Sequence, residues 1–223
     1  MKKIAILILF FLLLCSCEKK DVKEINHEDE VIENKVIKKI NDDKDYAYLI
    51  DYKNFVLDNG NEYGLKLLEI NLNSDDARNI NLEIKSFVNN SYKKFQYVND
   101  MISSGNIIDY VYFINNEIIS VIIKNNYYVN KMYVVDKDTV YNIDIKTGEN
   151  IENIDLLKKY ELTEDSLYEY VRGHAVSDDI EFTIMNIKQE GYNLYVNDSN
   201  NLVMIYYEVF NDEIIRKELI IEN

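Results

Sequence analysis

Both cysteines of the chain, Cys15 and Cys17, lie at the end of one apolar run close to the N-terminus. Whatever folds after them must hold together by packing and hydrogen bonds, without the disulfides that staple many small exported domains. The run itself, Ile4 to Leu14 behind Lys2 and Lys3, reads as a secretory signal with a charged start, an apolar middle and the small Ser16 before the cut. It is shorter than the roughly 20 residues a permanent membrane-spanning helix needs. Leu14-Cys15-Ser16-Cys17 fits a lipobox, in which the Cys17 thiol takes a diacylglyceryl group and Cys17 becomes the first residue of the mature chain. Cys15 is the poorer acceptor, because bulky Leu14 precedes it where the peptidase needs a small side chain. An uncleaved anchor and an ordinary secretory signal are the alternatives. The expected product is a domain outside the cytoplasm, held at a bacterial cell membrane by its N-terminal lipid. Two or more acyl chains anchor firmly where one is marginal.

Removing residues 1–16 leaves roughly 200 residues, enough for one large domain or two small ones. A hydrophobic share of 47% can supply a core. Net charge is −15 and becomes more negative once Lys2 and Lys3 leave. Such a surface repels nucleic acid and anionic head groups and attracts cationic protein, besides keeping the chain soluble. Abundant Asn, Lys, Ile and Tyr, with no Pro and no Trp, match the codon bias of an AT-rich bacterial genome.

Residues 17–45 are densely charged, with only sparse apolar positions such as Val22, Ile25 and Ile32, and read as a tether. As a flexible coil it would span about 30 Å. From Tyr46 the pattern changes to strands. Tyr46–Leu57 and Glu62–Leu72 flank Asp58-Asn59-Gly60-Asn61, a strong hairpin signal. Asn73-Ser74-Asp75-Asp76 opens a helix, and apolar residues then recur at three- and four-residue steps from Ala77 to Ile102. One long amphipathic helix over about 75–103 is expected. Strands follow at Ile107–Ile114, Glu117–Lys124, Tyr127–Asp136 and Thr139–Lys146, with Asn115-Asn116, Asn125-Asn126 and Lys137 as turns. Thr147-Gly148-Glu149 makes another turn. Short helices are expected over about 153–172, at Asn153–Lys159 and from the Thr163-Glu164-Asp165 cap to Arg172. The tail reads as strands at Asp179–Lys188, Tyr192–Val196, Leu202–Phe210 and Glu213–Ile221.

Helices and strands are thus partly segregated, and most neighbouring strands are joined by hairpins, which gives an α+β fold of antiparallel sheets. Two halves are expected, 46–138 and 139–223, packed as one unit. No period of 20 to 50 residues repeats, which excludes solenoids and propellers.

Catalytic constellations are thin. The two histidines are His27 in the tether and His174 at the end of an expected helix, where a structural role fits best. With Cys15 removed and Cys17 blocked by lipid, Cys–His chemistry is excluded. The zinc-protease, nucleophile-elbow and phosphate-loop motifs are absent. Carboxylate neighbours such as Asp178-Asp179 and Glu164-Asp165 carry little information in a chain with 40 acids, yet a glycosidase pair needs only the right separation in space. Asp136-Lys137-Asp138 and Asn197-Asp198-Ser199-Asn200-Asn201 hold oxygen ligands of the kind calcium uses, without EF-hand spacing, and turn chemistry accounts for both. No metal and no cofactor are expected. The nineteen tyrosines, among them Tyr110/Tyr112, Tyr127/Tyr128, Tyr168/Tyr170 and Tyr206/Tyr207, suit either half-buried strand positions or a binding face.

Thr139–Leu157 reads Thr-Val-Tyr-Asn-Ile-Asp-Ile-Lys-Thr-Gly-Glu-Asn-Ile-Glu-Asn-Ile-Asp-Leu-Leu, a strand, an aspartate, a Thr-Gly turn and a short helix. Upstream, Glu69-Ile70-Asn71-Leu72 leads into a helix with Ile80-Asn81 near its start, followed by Ile118-Ile119-Ser120-Val121-Ile122; Asn201 to Tyr207 closes the pattern. Over most of 46–223 this resembles the extracytoplasmic domain shared by lysozyme-binding anti-sigma factors of the RsiV type and the non-catalytic N-terminal region of certain peptidoglycan deacetylases. Where that family often carries a Gly-Ala-His type segment, this chain has Asn125-Asn126-Tyr127-Tyr128. It also has a lipid where the anti-sigma factors have a transmembrane helix, and neither a sigma-binding segment nor a deacetylase domain is expected. The resemblance implies a non-enzymatic domain that binds lysozyme or a similar cationic protein, or peptidoglycan. A wall- or glycan-acting hydrolase using a carboxylate pair, and a structural or assembly lipoprotein, remain the other readings.

Overall fold

The computed structural model describes residues 37–56, 62–96, 106–129, 132–135, 137–175, 179–210 and 213–221. Cys17, most of the tether, the 58–61 turn and the expected helical stretch 97–103 lie outside them. The fold is α+β. In chain order, β1 (Ala47–Val56) and β2 (Glu62–Ile70) precede α1 (Asp75–Gln96), which is followed by β3 (Asn106–Ile114), β4 (Ile118–Val129), β5 (Met132–Val135) and β6 (Thr139–Asp144). Next come α2 (Asn153–Lys159), α3 (Glu164–His174), α4 (Ile180–Glu190), β7 (Asn193–Val196), β8 (Leu202–Phe210) and β9 (Glu213–Ile221). Residues 36–223 form one compact unit.

Three antiparallel sheets result: the β1–β2 hairpin, a central sheet with β4 in its middle, and β7–β8–β9. Along β4, β3 occupies one edge while β6 pairs with Ile118–Ile123 and β5 with 126–129 on the other. Three residues separate Val135 from Thr139, against two between their partners Asn126 and Ile123, so the register slips by one just ahead of β6. The expected turn at Asn125-Asn126 is therefore overturned. Both residues sit inside β4, opposite Ile108 and Ile107, because the strand-forming run from Ile118 to Val129 outweighs the turn preference of two asparagines.

A second correction concerns Asp179–Lys188, which forms a helix and not a strand. Ile180, Phe182 and Ile184 alternate as a strand would, yet Ile180, Thr183, Ile184 and Ile187 share one helical face. The structure buries Thr183, Ile184, Asn186 and Ile187 and leaves Phe182 and Met185 exposed. Asp179 caps the start, its Oδ1 accepting from the Phe182 N–H at 3.0 Å.

The core comes in layers, because β4 and β8 are apolar on both faces. Ile119, Val121 and Ile123 of β4 pack with α1 and the β1–β2 hairpin around Leu68, Ile70, Ile80 and Ile84. Ile122 turns the other way and meets Val203, Ile205 and Tyr207 of β8. The alternate β8 residues, Leu202, Met204 and Tyr206, pack beneath α2, α3 and α4. Strand alternation thus lets one sheet serve two cores.

Side-chain amides seal the joints between layers. Asn81 of α1 donates to the Ile70 carbonyl at 2.9 Å and accepts from its N–H at 2.8 Å, imitating a sheet partner for β2. Asn142 donates to the Leu194 carbonyl at 2.8 Å, while Ser120 donates to Asn142 at 2.7 Å and accepts from the Val196 N–H at 2.9 Å. These bonds satisfy the otherwise open edge of β7 from within the core. The Thr147-Gly148 turn docks against the start of α1: Gly148 has φ +70°, and a Cβ there would meet the Ser74 Cβ at 2.5 Å. Only glycine supplies both that backbone and that clearance.

Candidate functional site

Among the described residues, the helical face of the third sheet carries a groove of about 490 Å³ lined by residues at the start of α2, on α3 and α4, and in the Gly191-Tyr192 turn that leads into β7. That volume lies within the usual range for ligand clefts. Each wall has a local cause. Thr163 and Ser166 close a reciprocal capping box that fixes the start of α3, so Glu164 and Tyr168, one turn apart, fall on the same side. Leu167 and Val171 bury the adjoining stripe. Gly191, at φ +82°, ends α4 and turns the chain into Tyr192. Asn153, in the first turn of α2, donates to the Tyr192 carbonyl at 2.8 Å and accepts from the Leu194 N–H at 3.1 Å, which fixes α2 against β7.

Two phenols, two carboxylates and one ammonium surround the groove. The Tyr192 hydroxyl donates to Glu164 Oε1 at 2.9 Å. Burial first, and Glu164 second, push the Tyr192 phenol up and keep it a donor; burial, then Glu164 and Asp165, do the same to Tyr168. Lys188 Nζ lies 4.8 Å from the centre of the Tyr168 ring. Glu152 Oε1 accepts from Asn150 Nδ2 at 2.7 Å. Ile154 stands 49% exposed at the rim, beside the buried Ile187. The arrangement offers aromatic faces and negative charge to an incoming group.

A different polar cluster lies where the register of the central sheet slips. The Asp138 carboxylate, 1% exposed, receives Arg216 Nε on Oδ2 at 2.6 Å, and Arg216 Nη2 reaches Glu218 at 2.6 Å. Among the described residues, Asp138 Oδ1 has no hydrogen-bond partner. Burial pushes the Asp138 carboxyl up, and the Arg216 guanidinium opposes this without cancelling it. The backbone N–H of Asp138 donates to the Tyr207 hydroxyl, and its carbonyl accepts from Asn193 Nδ2 at 3.0 Å. The site is a joint between sheets, held by the Arg216–Asp138 pair.

The other sequence candidates disperse. His174 is exposed, stacks on Tyr170 at 4.0 Å between ring centres, and shares a hydrogen bond with the Tyr170 carbonyl at 2.9 Å. Asp179 is a helix cap, and Asn197 Oδ1 closes its own turn by accepting from the Ser199 and Asn201 N–H groups. Tyr206 and Tyr207 are buried, and Tyr110 and Tyr112 pack against the first core. Cys17, His27, Asp136 and Asp178 lie outside the described residues. Among those described, no group of three His, Cys, Asp or Glu side chains could hold a metal ion, and no helix is long and apolar enough to cross a membrane. The groove escapes sequence reading because its lining comes from four separate elements. The one local signal was Glu164 and Tyr168 at helical spacing behind a cap.

No protein-family model matches the chain, and no curated protein matches it.

Proposed function

We propose that this chain is a lipid-anchored extracytoplasmic protein of the bacterial cell envelope that binds a cationic protein through the groove between α2, α3, α4 and the Gly191-Tyr192 turn. One observation carries the reading: in a chain of net charge −15, the groove presents Tyr168, Tyr192, Glu152 and Glu164 around one opening. Aromatic faces beside carboxylates are the pairing that holds an ammonium or a guanidinium, through the ring quadrupole and through charge. The sequence resemblance to lysozyme-binding extracytoplasmic domains points in the same direction, and the lipobox at Cys17 supplies the location.

Peptidoglycan is the second reading, favoured by the two tyrosines, whose apolar rings and polar tips suit a sugar face. Hydrolysis is less well supported. Glu152 and Glu164 are exposed, and each already accepts a hydrogen bond from a neighbour. A glycosidase general acid instead sits in apolar surroundings that keep it protonated. The test is retention of the full chain on immobilised lysozyme and on purified cell wall, at low and high salt. Retention on lysozyme that weakens with salt is expected, and a Tyr192→Ala variant should lose most of it. Retention on wall alone moves the reading to glycan; retention on neither sinks it.

A further inference from the structure

Lys188 is one of several lysines here that lie over a tyrosine ring, and it stands on the wall of the groove. Among the described residues its ammonium forms no salt bridge, and it lies over the Tyr168 ring at 4.8 Å, on the wall of the groove. Lys158, Lys159 and Lys137, by contrast, each pair with a carboxylate at 2.7 to 2.9 Å. The ring that holds Lys188 is flanked by Glu164, one turn earlier on α3, and by Tyr192, bound to Glu164 through its hydroxyl.

We infer that Lys188 is a built-in occupant of a cation subsite centred on Tyr168 and Glu164, and that a lysine or arginine side chain of a polypeptide partner displaces it on binding. This inference rests on the cationic-partner reading above and adds its regulation. The ring face accepts an ammonium, because it already holds one. The occupant sits in the last turn of α4, on a four-carbon stem free to swing into solvent. The contact is an exposed cation–π pair, weak enough to be exchanged for another. Lys188 thereby lowers the affinity of this subsite for an incoming cationic side chain.

The test is a double-mutant cycle on the full chain in neutral detergent, titrated with a lysine-rich peptide and, separately, with a chitin oligosaccharide. Lys188→Gln should bind the peptide about two- to fivefold more tightly, the range of an exposed cation–π pair. Tyr168→Leu should weaken peptide binding, and in that background Lys188→Gln should give no gain beyond that of Lys66→Gln, an equal change of charge on the exposed face of β2. A flat cycle with intact peptide binding overturns the displacement role and leaves the cationic-partner reading standing. Peptide that binds neither wild type nor Lys188→Gln removes both. Oligosaccharide binding without peptide binding assigns the groove to glycan and overturns the inference.

Discussion

Asparagine does more here than form turns. Asn142 gives its donor to the Leu194 carbonyl while its oxygen accepts from Ser120. Asn81 and Asn153 each use a side-chain amide as a substitute backbone, offering a donor and an acceptor where a strand edge would otherwise be open. Asn71 does the same for a loop, donating to the carbonyls of Asn41 and Asp45 and accepting from the Asn41 N–H. The same residue type that marks turns in the sequence therefore also marks joints, and nothing local distinguishes the two. Asp138 is the costlier joint, because one of its buried oxygens has no donor. Its carboxyl is raised above its ordinary value of 3.8. A raised carboxyl contributes stability that is complete below the unfolded value and is lost as pH rises through the folded one. Asp138→Asn cannot ionise and escapes that loss. Its cost, about 1–3 kcal/mol when a buried polar partner is altered, should therefore be largest near pH 4 and shrink towards pH 7. Glu117 and Glu181 are both lowered by their cationic partners and so lose stability as pH falls, but they do so equally in both proteins and cancel in the difference. Urea unfolding of the pair across that range decides it, and a difference that grows with pH refutes the assignment.

At the scale of elements, α3 shows how a groove can depend on a cap. Thr163 accepts from the Ser166 N–H at 3.1 Å, and Ser166 Oγ accepts from the Thr163 N–H at 2.8 Å. Thr163→Ala should cost about 1 kcal/mol and loosen the turn that carries Glu164. The expected readout is a lower urea midpoint with unchanged slope, together with weaker peptide binding; unchanged stability would show that packing of Leu167 and Val171 alone sets the helix. This cap was legible in the sequence, as were α2, the β1–β2 pair and α1, because each has a local signal in the sequence: a cap, an apolar period or alternating strand-forming runs. The course of β4 through Asn125-Asn126 and the helical state of 180–190 were not. The first is decided by two flanking strands, and the second by which of two valid periods finds a core.

Taken as a whole, the molecule stacks its sheets so that the helical face lies beyond β8, remote in the layer order from α1 and the β1–β2 hairpin. A binding surface there, as proposed, would need no rearrangement of the central sheet. The holding group is the remaining question of scale. One acyl chain gives marginal membrane affinity, and two or more retain a protein firmly. A chain of net charge −15 has no electrostatic attraction to anionic lipid to fall back on. On the proposed lipid-anchored reading, retention then rests on Cys17. Cys17→Ala should accumulate as an unprocessed precursor that labels with no fatty acid, and the mature-sized, lipid-labelled form should vanish from the membrane fraction. Cys15→Ala should change neither, since bulky Leu14 before Cys15 makes it the poorer acceptor. Lipid labelling that survives Cys17→Ala but is lost in Cys15→Ala would move the anchor, and with it the start of the mature chain, by two residues.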